Sequence, residues 1–372
     1  MIINIVREIT YIFSGKRKEN FYSNETQAKE FYYGATEFNN SFKVNIIEFN
    51  DSKTFFGSLL NLIDRIFRKF FSLPFYMSKL IRFNNFKILK KSEHIFLVNE
   101  GVGCSALPFL IILKFFKNTK VSLFVMGLYS KKIKFVIFKS IHNLLIKFLI
   151  SNVDNVFFLG KGELNSAINF HNEKKEKFHF LPFSIDTKFW TSNEVQNNDK
   201  NIIFVGNDGN RDFDMVINIA KKLQNCNFTF ISSNKIITDI DLPNVNIVPG
   251  FWGNENLSDL ELKDIYLNSM LSIIPLKEST QPSGQSVALQ CMSLGIPVLI
   301  SKTEGFWDND LFKDNKNILF VNNESLEEWT NRISILIKDR QKLNNIKLNA
   351  KALVQENYNL DIFYRKLLTF LN

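Results

Sequence analysis

Short runs rich in apolar and β-forming residues recur along the whole chain. They cover 43–49, 94–100, 121–127, 155–160 and 178–183 in the first half, and 201–207, 228–233, 245–250, 271–276, 296–301 and 318–322 in the second. Each run has the length of a strand, and most are separated by stretches long enough for a helix. Apolar strands that alternate with helices predict parallel sheets covered on both faces.

The interval between the two halves, TSNEVQNNDK (191–200), is polar and contains no strand-length apolar run. A chain of 372 residues is long enough for two domains of ordinary size. We therefore predict two doubly wound α/β domains of similar size, with the boundary near this interval.

Cysteine content and hydropathy indicate the compartment. The three cysteines, Cys104, Cys226 and Cys291, are odd in number and widely spaced, which argues against a disulfide framework and a structural zinc. The N-terminus has no small-residue cleavage site, and no apolar run reaches the roughly 18–20 residues of a membrane span. We expect a cytoplasmic protein.

Charge is distributed unevenly. Residues 1–180 carry 27 Lys and Arg against 14 Asp and Glu, a net charge of +13, whereas the remainder has a net charge of −4. This asymmetry predicts an anionic partner for the first half only. Nucleic acid is not expected, because no zinc-finger, RNP or helix-turn-helix signature accompanies the charge.

Two segments of the basic half predict helices with a polar stripe on a wide apolar surface. Phe55–Phe71 aligns Ser58, Asn61, Arg65 and Arg68, and Lys131–Ile150 aligns Lys132, Lys139, Asn143 and Lys147. Such helices either pack on two sides in a Phe-rich core or lie in a membrane interface. Both alternatives stay open, and docking on an anionic leaflet is the functional hypothesis.

The stretch PLKESTQPSGQSVALQCMSLGIPVLIS (275–301) reads as strand, loop, helix and strand. We predict Ser286 as the N-cap of a helix over 287–294 that ends at Gly295. Its N-terminus would offer unpaired N–H groups and a partial positive charge to a phosphate, and Ser283 and Gly284 would let the backbone approach closely. The alternative is an ordinary crossover with a capped helix.

A second loop follows the strand 201–205. Gly206 and Gly209 permit tight backbone there, and Arg211 lies at the start of the next helix. Lys277 follows the strand 271–276. Ligands of open α/β sheets bind at the carboxyl ends of the strands, so two cations and two helix N-termini at one edge predict a diphosphate site. The alternatives are an ion pair of Arg211 with Asp212 or Asp214, and a solvated Lys277.

Several motifs carry a family resemblance. They are FHFLPFSIDTKFW (178–190), VGNDGNRDFD (205–214), IIPLKESTQPSG (273–284), VALQCMSLGIPVLIS (287–301) and, more weakly, EFYYGATEF (30–38). The chain resembles GT-B glycosyltransferases of the retaining family 4 type. The resemblance implies two Rossmann-like domains facing each other across a cleft, with 7–18 as the first loop. Residues 1–190 would bind the acceptor, 191–355 the nucleotide sugar, and a helix in 356–372 would cross back to the first domain.

The resemblance also implies roles for individual residues. Arg211 and Lys277 would act catalytically on the donor diphosphate, and Gln290 would bind the ribose hydroxyls. The remaining donor-binding residues would be Gly206, Asn207, Ser283, Gly284, Gln285 and Ser286, with Val248, Gly250 and Phe251 near the base. The family has two glutamates separated by seven residues where this chain has Pro282 and Gln290. On the sequence alone, we expect Gln290→Glu to preserve or improve activity.

The activity implied by the resemblance is transfer of a hexose from a UDP- or GDP-linked donor to a glycan or lipid-linked acceptor, with retention. No cofactor and no metal would be needed, and Asp239–Asp241 would be a surface loop rather than a metal motif. Surface polysaccharide or glycoconjugate biosynthesis, at the inner face of the cell membrane, would be the setting. The alternatives are a nucleotide-sugar epimerase of the same fold and a non-catalytic partner protein.

Overall fold

The computed structural model describes residues 7–22, 27–51, 54–116, 119–171, 175–192, 201–250, 257–322 and 325–371. The chain forms two compact units. The first unit consists of Met1–Glu25, Phe31–Leu181 and Tyr364–Asn372, and the second of Thr26–Glu30 and Pro182–Phe363. The chain thus enters the second unit at Pro182 rather than at 191, and rejoins the first at Tyr364 rather than at 356. Most of the polar interval 191–200 lies outside the described residues.

A six-stranded parallel sheet forms the centre of the first unit. Its strands are β1 (Glu8–Phe13), β2 (Lys43–Glu48), β3 (His94–Leu97), β4 (Lys120–Val125), β5 (Asn155–Phe158) and β6 (Phe178–Phe180), in the order β2-β1-β3-β4-β5-β6. The helices are α1 (Lys18–Tyr22), α2 (Ala35–Phe38), α3 (Phe55–Phe70), α4 (Met77–Leu80), α5 (Phe83–Lys91), α6 (Glu100–Leu113), α7 (Lys139–Ser151) and α8 (Lys161–Phe170).

The second unit has another six-stranded parallel sheet. Its strands are β7 (Asn201–Val205), β8 (Asn227–Ile231), β9 (Val245–Val248), β10 (Leu271–Ile274), β11 (Val298–Ser301) and β12 (Leu319–Val321), in the order β12-β11-β10-β7-β8-β9. The helices are α9 (Phe213–Lys222), α10 (Lys235–Thr238), α11 (Asp259–Leu267), α12 (Gln285–Ser293), α13 (Leu326–Lys338), α14 (Arg340–Asn357) and α15 (Leu360–Leu368).

The predicted α/β class and both parallel sheets are confirmed. All four residues of β3 and all four of β10 are buried, as continuous apolar strands covered on both faces require. The segment 7–18 is an exception. A loop is expected there, but Glu8–Phe13 is β1, which pairs in parallel with β2 and β3.

The two basic segments differ in structure. The helix predicted for Phe55–Phe71 is confirmed as α3, and its apolar face is not covered, since Phe55 is 90% and Leu62 56% exposed. The helix predicted over Lys131–Ile150 is wrong in its first part, because α7 begins only at Lys139, after a single 3-10 turn. Lys132 therefore lies outside the helical stripe. Among the described residues, no helix is long and apolar enough to cross a membrane.

Candidate functional site

The strand order of the second unit identifies the edge at which a ligand would bind. The chain runs from β7 through β8 to β9 on one side of the sheet, whereas β10 lies on the other side of β7. The switch point is therefore between β7 and β10, and open α/β sheets bind ligands in the crevice at such a point. The loops that follow these two strands contain Arg211 and Lys277.

Backbone hydrogen bonds join these two loops. Lys277 N donates to Asn210 O at 2.8 Å, and Asp212 N donates to Pro275 O at 3.0 Å. The Asn210 side chain adds a further link, because its Nδ2 donates to Ser283 Oγ at 2.8 Å. The structure therefore brings Arg211, Lys277 and the Ser283 loop together at one edge of the sheet.

Arg211 is a buried cation with incomplete hydrogen bonding. Its side chain is only 4% exposed, and its Nη1 lies 3.4 Å from Asp208 Oδ2. Among the described residues, Nε and Nη1 find no hydrogen-bond partner. Burial lowers the pKa of the guanidinium, and the charge of Asp208 opposes that shift. Two unsatisfied donors on a buried cation are costly, so an anion that accepted from them would be strongly favoured.

Two glycines and one aspartate hold Arg211 in this place. A Cβ at Gly206 would collide with Arg211 Nε, and a Cβ at Gly284 would lie 3.4 Å from Nη1. The predicted alternative, an ion pair with Asp212 or Asp214, is wrong: the charge partner is Asp208, while Asp212 caps α9 by accepting from Met215 N at 3.0 Å. The arginine therefore stays directed at the switch point.

The helix start at α12 differs from the prediction. Ser286 is expected as the N-cap, but α12 begins at Gln285 and its N-cap is Gly284, which has a left-handed φ of 79° and makes no side-chain cap. Only a residue without Cβ adopts this conformation readily, which moves the helix start forward. Ser286 is the only residue of α12 that is not buried. The predicted end is confirmed, with Gly295 at a φ of 77°.

Asn207 ties together the ends of three strands next to this edge. Its Nδ2 donates to Gly250 O at 2.8 Å, and its Oδ1 accepts from Ser233 N at 2.6 Å. Val248 ends β9 beside Gly250, and Phe251 lies outside the described residues. Asn207 and Gly250 thus shape the rim of the site.

Gln290 lies in a buried polar cluster rather than at an exposed surface. It is 1% exposed, its Nε2 donates to Glu30 Oε1 at 2.9 Å, and its Oε1 accepts from Tyr266 OH at 3.2 Å. Glu30 Oε1 also accepts from Trp190 Nε1 at 2.7 Å. Burial raises the pKa of the Glu30 carboxyl to about 7, against the opposing hydrogen bonds from Gln290 and Trp190.

Glu30 begins the weakly matching motif EFYYGATEF (30–38), but the sequence does not connect it with Gln290, because 260 positions separate the two residues. It belongs to Thr26–Glu30, the short piece that the chain contributes to the second unit before returning to the first. Only the fold makes Glu30 the acceptor for Gln290.

The first unit has a polar cluster of its own at the carboxyl ends of β3, β4 and β5. Glu163 is fully buried, and its Oε1 accepts from Tyr129 N at 3.0 Å. Lys131 Nζ lies 3.2 Å from Glu100 Oε1. Burial raises the pKa of the Glu163 carboxyl to about 8, and the charge of Glu100 adds to the shift. Neither acid stands out in the sequence.

Glu163→Gln should remove a pH-dependent loss of stability. The unfolded chain releases this proton near its ordinary pKa of 4.5, whereas the folded chain keeps it until about pH 8. Stability therefore falls as the pH rises across that window. The variant, whose amide oxygen can still accept from Tyr129 N, should raise the free energy of unfolding by about 2–4 kcal/mol above pH 8 and change it little at pH 4.5. Urea unfolding across this range tests it.

The exposed Glu176 provides the control for that measurement, since Glu176→Gln should leave the pH dependence as it is in the wild type. A Glu163→Gln effect of equal size at both ends of the pH window would show that the buried carboxyl does not carry this proton.

No metal site accompanies these clusters in the part of the chain that the structure describes, where no three His, Cys, Asp or Glu side chains gather. Asp239 and Asp241 are exposed after α10, as predicted for a surface loop.

The fold is shared with solved glycosyltransferases. HepE from Anabaena in complex with UDP-glucose is similar at a TM-score of 0.67 and 12% identity, covering 98% of this chain and 99% of that chain. A sucrose-phosphate synthase from Thermosynechococcus elongatus is similar at 0.68 and 13%, covering 98% of each chain. A glycosyltransferase from Rickettsia africae is similar at 0.64 and 12%, covering 99% of this chain and 98% of that chain.

Identities this low show the fold alone. No protein-family model and no curated protein sequence matches the chain. Two parallel six-stranded sheets in two units, together with these similarities over nearly the whole length, identify the architecture. The chain has the fold of the GT-B glycosyltransferases.

Proposed function

We propose that this protein transfers a sugar from a nucleotide-sugar donor to an acceptor. The observation that carries the proposal is Arg211, a buried cation at the switch point of the second sheet, with two nitrogens that have no hydrogen-bond partner among the described residues. HepE, which has this fold, was solved in complex with UDP-glucose, and this supports a nucleotide-sugar donor, UDP- or GDP-linked.

In this proposal, the residues of the second unit stabilise the leaving group. Glycosyl transfer from a nucleotide sugar leaves a nucleoside diphosphate, so negative charge develops on the phosphate oxygens. Arg211 and Lys277 would offset that charge, and the uncapped N–H groups at the start of α12 would donate hydrogen bonds to the phosphate. We propose transfer of a hexose with retention, in which the departing phosphate helps to deprotonate the acceptor, without a metal ion.

We propose that the acceptor, a glycan or a lipid-linked glycan of surface polysaccharide or glycoconjugate biosynthesis, binds the first unit. Its sheet has a switch point between β1 and β3, where Asn99 Nδ2 donates to Ser14 Oγ at 3.0 Å. The buried Glu100 follows Asn99 directly and pairs with Lys131, which would place the Lys131 ammonium group to donate to a sugar hydroxyl.

Product analysis tests the proposal. With UDP- or GDP-linked hexoses, the protein should release free nucleoside diphosphate slowly alone and faster with an acceptor glycan. Formation of epimerised donor without any acceptor would favour the epimerase. Absence of turnover together with absence of nucleotide binding would favour the non-catalytic partner.

We further propose that the protein docks peripherally on an anionic membrane surface, such as the inner face of the cell membrane. Residues 54–150 contain 16 Lys and Arg against three acids. Two of those acids, Asp64 and Glu100, are buried. Basic residues near an anionic leaflet each contribute about 1 kcal/mol of attraction, which salt screens.

Replacing Arg65 and Lys69, both exposed on α3, with Gln should weaken binding to anionic vesicles by about 2 kcal/mol, or about 30-fold in the dissociation constant. Arg68 is left intact, because its Nη1 donates to Phe75 O at 2.5 Å and supports the fold. Sedimentation with vesicles of phosphatidylglycerol at low and high salt measures the effect.

The matched control removes the same charge from the second unit, at the exposed Lys221 and Lys222 of α9. If that control weakens vesicle binding as much as the α3 variant, the attraction depends on net charge alone and α3 is not the docking surface.

A further inference from the structure

An apolar groove opens on the first unit where the start of α3, the start of α5 and the end of α6 meet. Its volume is about 590 Å³, and most of its wall consists of Phe56, Phe83, Phe86, Phe109, Ile112 and Phe116. This volume falls in the range of roughly 300–1,000 Å³ that is typical of small-molecule sites. A wall with so few polar atoms suits a hydrocarbon chain and offers little to a sugar or a phosphate.

Three of the aromatic residues of the groove, Phe56, Phe83 and Phe116, are exposed to an extent that is unusual for a folded protein, whereas Phe109 is buried at its base. Phe83 is 71% exposed, Phe116 57% and the adjacent Phe115 83%. Phe56 is shared between the groove and the outward face of α3, where Phe55 is 90% exposed. Contiguous apolar surface of this kind marks an interaction site.

The charges around the groove indicate what covers it. Lys87 Nζ lies 4.6 Å from the ring centre of Phe83, and Lys90 Nζ lies 4.8 Å from that of Phe116. The aliphatic stems of such lysines extend the apolar surface while their ammonium groups stay at the rim. The rim is therefore cationic immediately beside the apolar wall.

The carboxylates in this stretch of the chain are either buried or paired with another residue, so they do not balance these lysines. Between residues 54 and 116 the acids are Asp64, Glu93 and Glu100. Asp64 and Glu100 are buried, and Glu93 pairs with Arg7 at 3.7 Å. A second copy of this chain docked by the same face would bring like charges together, whereas an anionic lipid complements both the apolar wall and the cationic rim.

We propose that this groove takes up a hydrocarbon chain of an anionic membrane phospholipid, with Lys87 and Lys90 at its phosphate headgroup. The site goes beyond the proposed glycosyl transfer and uses none of the residues assigned to the donor. It would let the first unit hold the membrane through an inserted chain in addition to surface charge.

A tryptophan reporter tests whether the groove meets lipid chains. All four tryptophans of the chain lie within Pro182–Phe363, so Phe83→Trp adds the only one in the first unit. With vesicles of equal parts phosphatidylglycerol and phosphatidylcholine, lipids brominated on the acyl chain should quench the added fluorescence. Vesicles of phosphatidylcholine alone should quench it far less.

The matched control is Leu348→Trp, at a side chain that is 67% exposed on α14 of the second unit. Its fluorescence should not respond to brominated chains. Absence of quenching at position 83 with anionic vesicles, or equal quenching at both positions, would overturn the proposal.

A loss variant tests the same site independently. Phe83→Glu with Phe116→Glu changes two exposed side chains and should weaken binding to the anionic vesicles at least about tenfold, whereas Leu348→Glu should not. Unchanged binding would contradict the proposal. A second result would also contradict it: the wild-type protein is a dimer without vesicles and this variant is a monomer. A second copy of the chain, rather than lipid, would then cover the groove.

Calorimetry with UDP and GDP separates this proposal from the donor chemistry. The Phe83→Glu, Phe116→Glu variant should bind the nucleotide like the wild type. Loss of vesicle binding with intact nucleotide binding supports the lipid site in the groove. If the wild type binds no nucleotide, the proposed glycosyl transfer fails, and vesicle binding still decides the lipid site.

Discussion

Arg211→Met is expected to lower the rate of glycosyl transfer by about 10²–10³-fold, which corresponds to about 3–4 kcal/mol of transition-state stabilisation. The reason is that the guanidinium is buried at the switch point with two nitrogens that have no hydrogen-bond partner among the described residues. Methionine fills a similar volume without charge. The measurement is steady-state release of nucleoside diphosphate from the donor.

Stability measurements separate this role from a structural one. Removing a buried cation with incomplete hydrogen bonding should leave the unfolding temperature unchanged or raise it. Arg332→Met is the matched control, because Arg332 makes two hydrogen bonds to Asp314 at 3.1 and 3.0 Å. That variant should lose stability and keep its activity. Normal activity in Arg211→Met would remove the assignment of the diphosphate site.

Lys277→Ala should have a smaller effect on the same rate, since its side chain is exposed and water screens its charge. The two variants together therefore show how much a buried and an exposed cation at the same edge of the sheet each contribute to the transfer rate.

Gln290→Glu is expected to destabilise the second unit by about 2–5 kcal/mol and to reduce activity with it. This reverses the expectation from sequence alone. The Gln290 amide nitrogen lies 2.9 Å from Glu30 Oε1, so a glutamate at position 290 would place two carboxyl groups in contact inside the protein. The pKa of Glu30 is already raised to about 7 by burial, and a second acid would raise it further.

The double variant Glu30→Gln, Gln290→Glu exchanges the amide and the carboxylate. The amide at position 30 would then donate to the carboxylate at position 290, and Tyr266 OH could still donate to the side chain at position 290. The hydrogen bond between positions 30 and 290 is restored in this way, with one carboxylate in the pair instead of two. Trp190 Nε1 donates to the same Glu30 Oε1 atom at 2.7 Å and would face the amide nitrogen instead, so we expect the double variant to recover part of the stability that Gln290→Glu loses.

A double-mutant cycle from urea unfolding measures this recovery as a coupling energy between positions 30 and 290, expected to be at least about 2 kcal/mol. The activity of the double variant should recover in parallel. Simple addition of the two single effects would mean that Glu30 and Gln290 do not act as a pair.

Much of the fold follows from the sequence, because most strands contain short successions of apolar residues. The eleven runs recognised there correspond to β2 through β12. β1 has a comparable pattern, since Tyr11, Ile12 and Phe13 are consecutive, but the basic stretch 16–18 closely follows it and the segment 7–18 occupies the place of the first loop in the family resemblance. The helix start at Gly284 could not be predicted from hydropathy, because the left-handed conformation of a glycine does not affect the apolar pattern.

The site could be predicted only as far as local motifs extend. Arg211, Lys277 and Ser283 follow strands that the apolar runs reveal, and their meeting at one edge follows from the parallel sheet. Glu30 and Glu163 could not be found in this way. Their burial depends on contacts between residues far apart in the chain, and an isolated glutamate carries no sign of such contacts.

Direct binding of a nucleoside diphosphate tests the central claim most closely. Isothermal titration of UDP and of GDP into the wild-type protein should show saturable binding of at least one of them, and Arg211→Met should weaken that binding by at least about tenfold. Binding of neither nucleotide by the folded wild-type protein, or equal binding by Arg211→Met, would contradict the account.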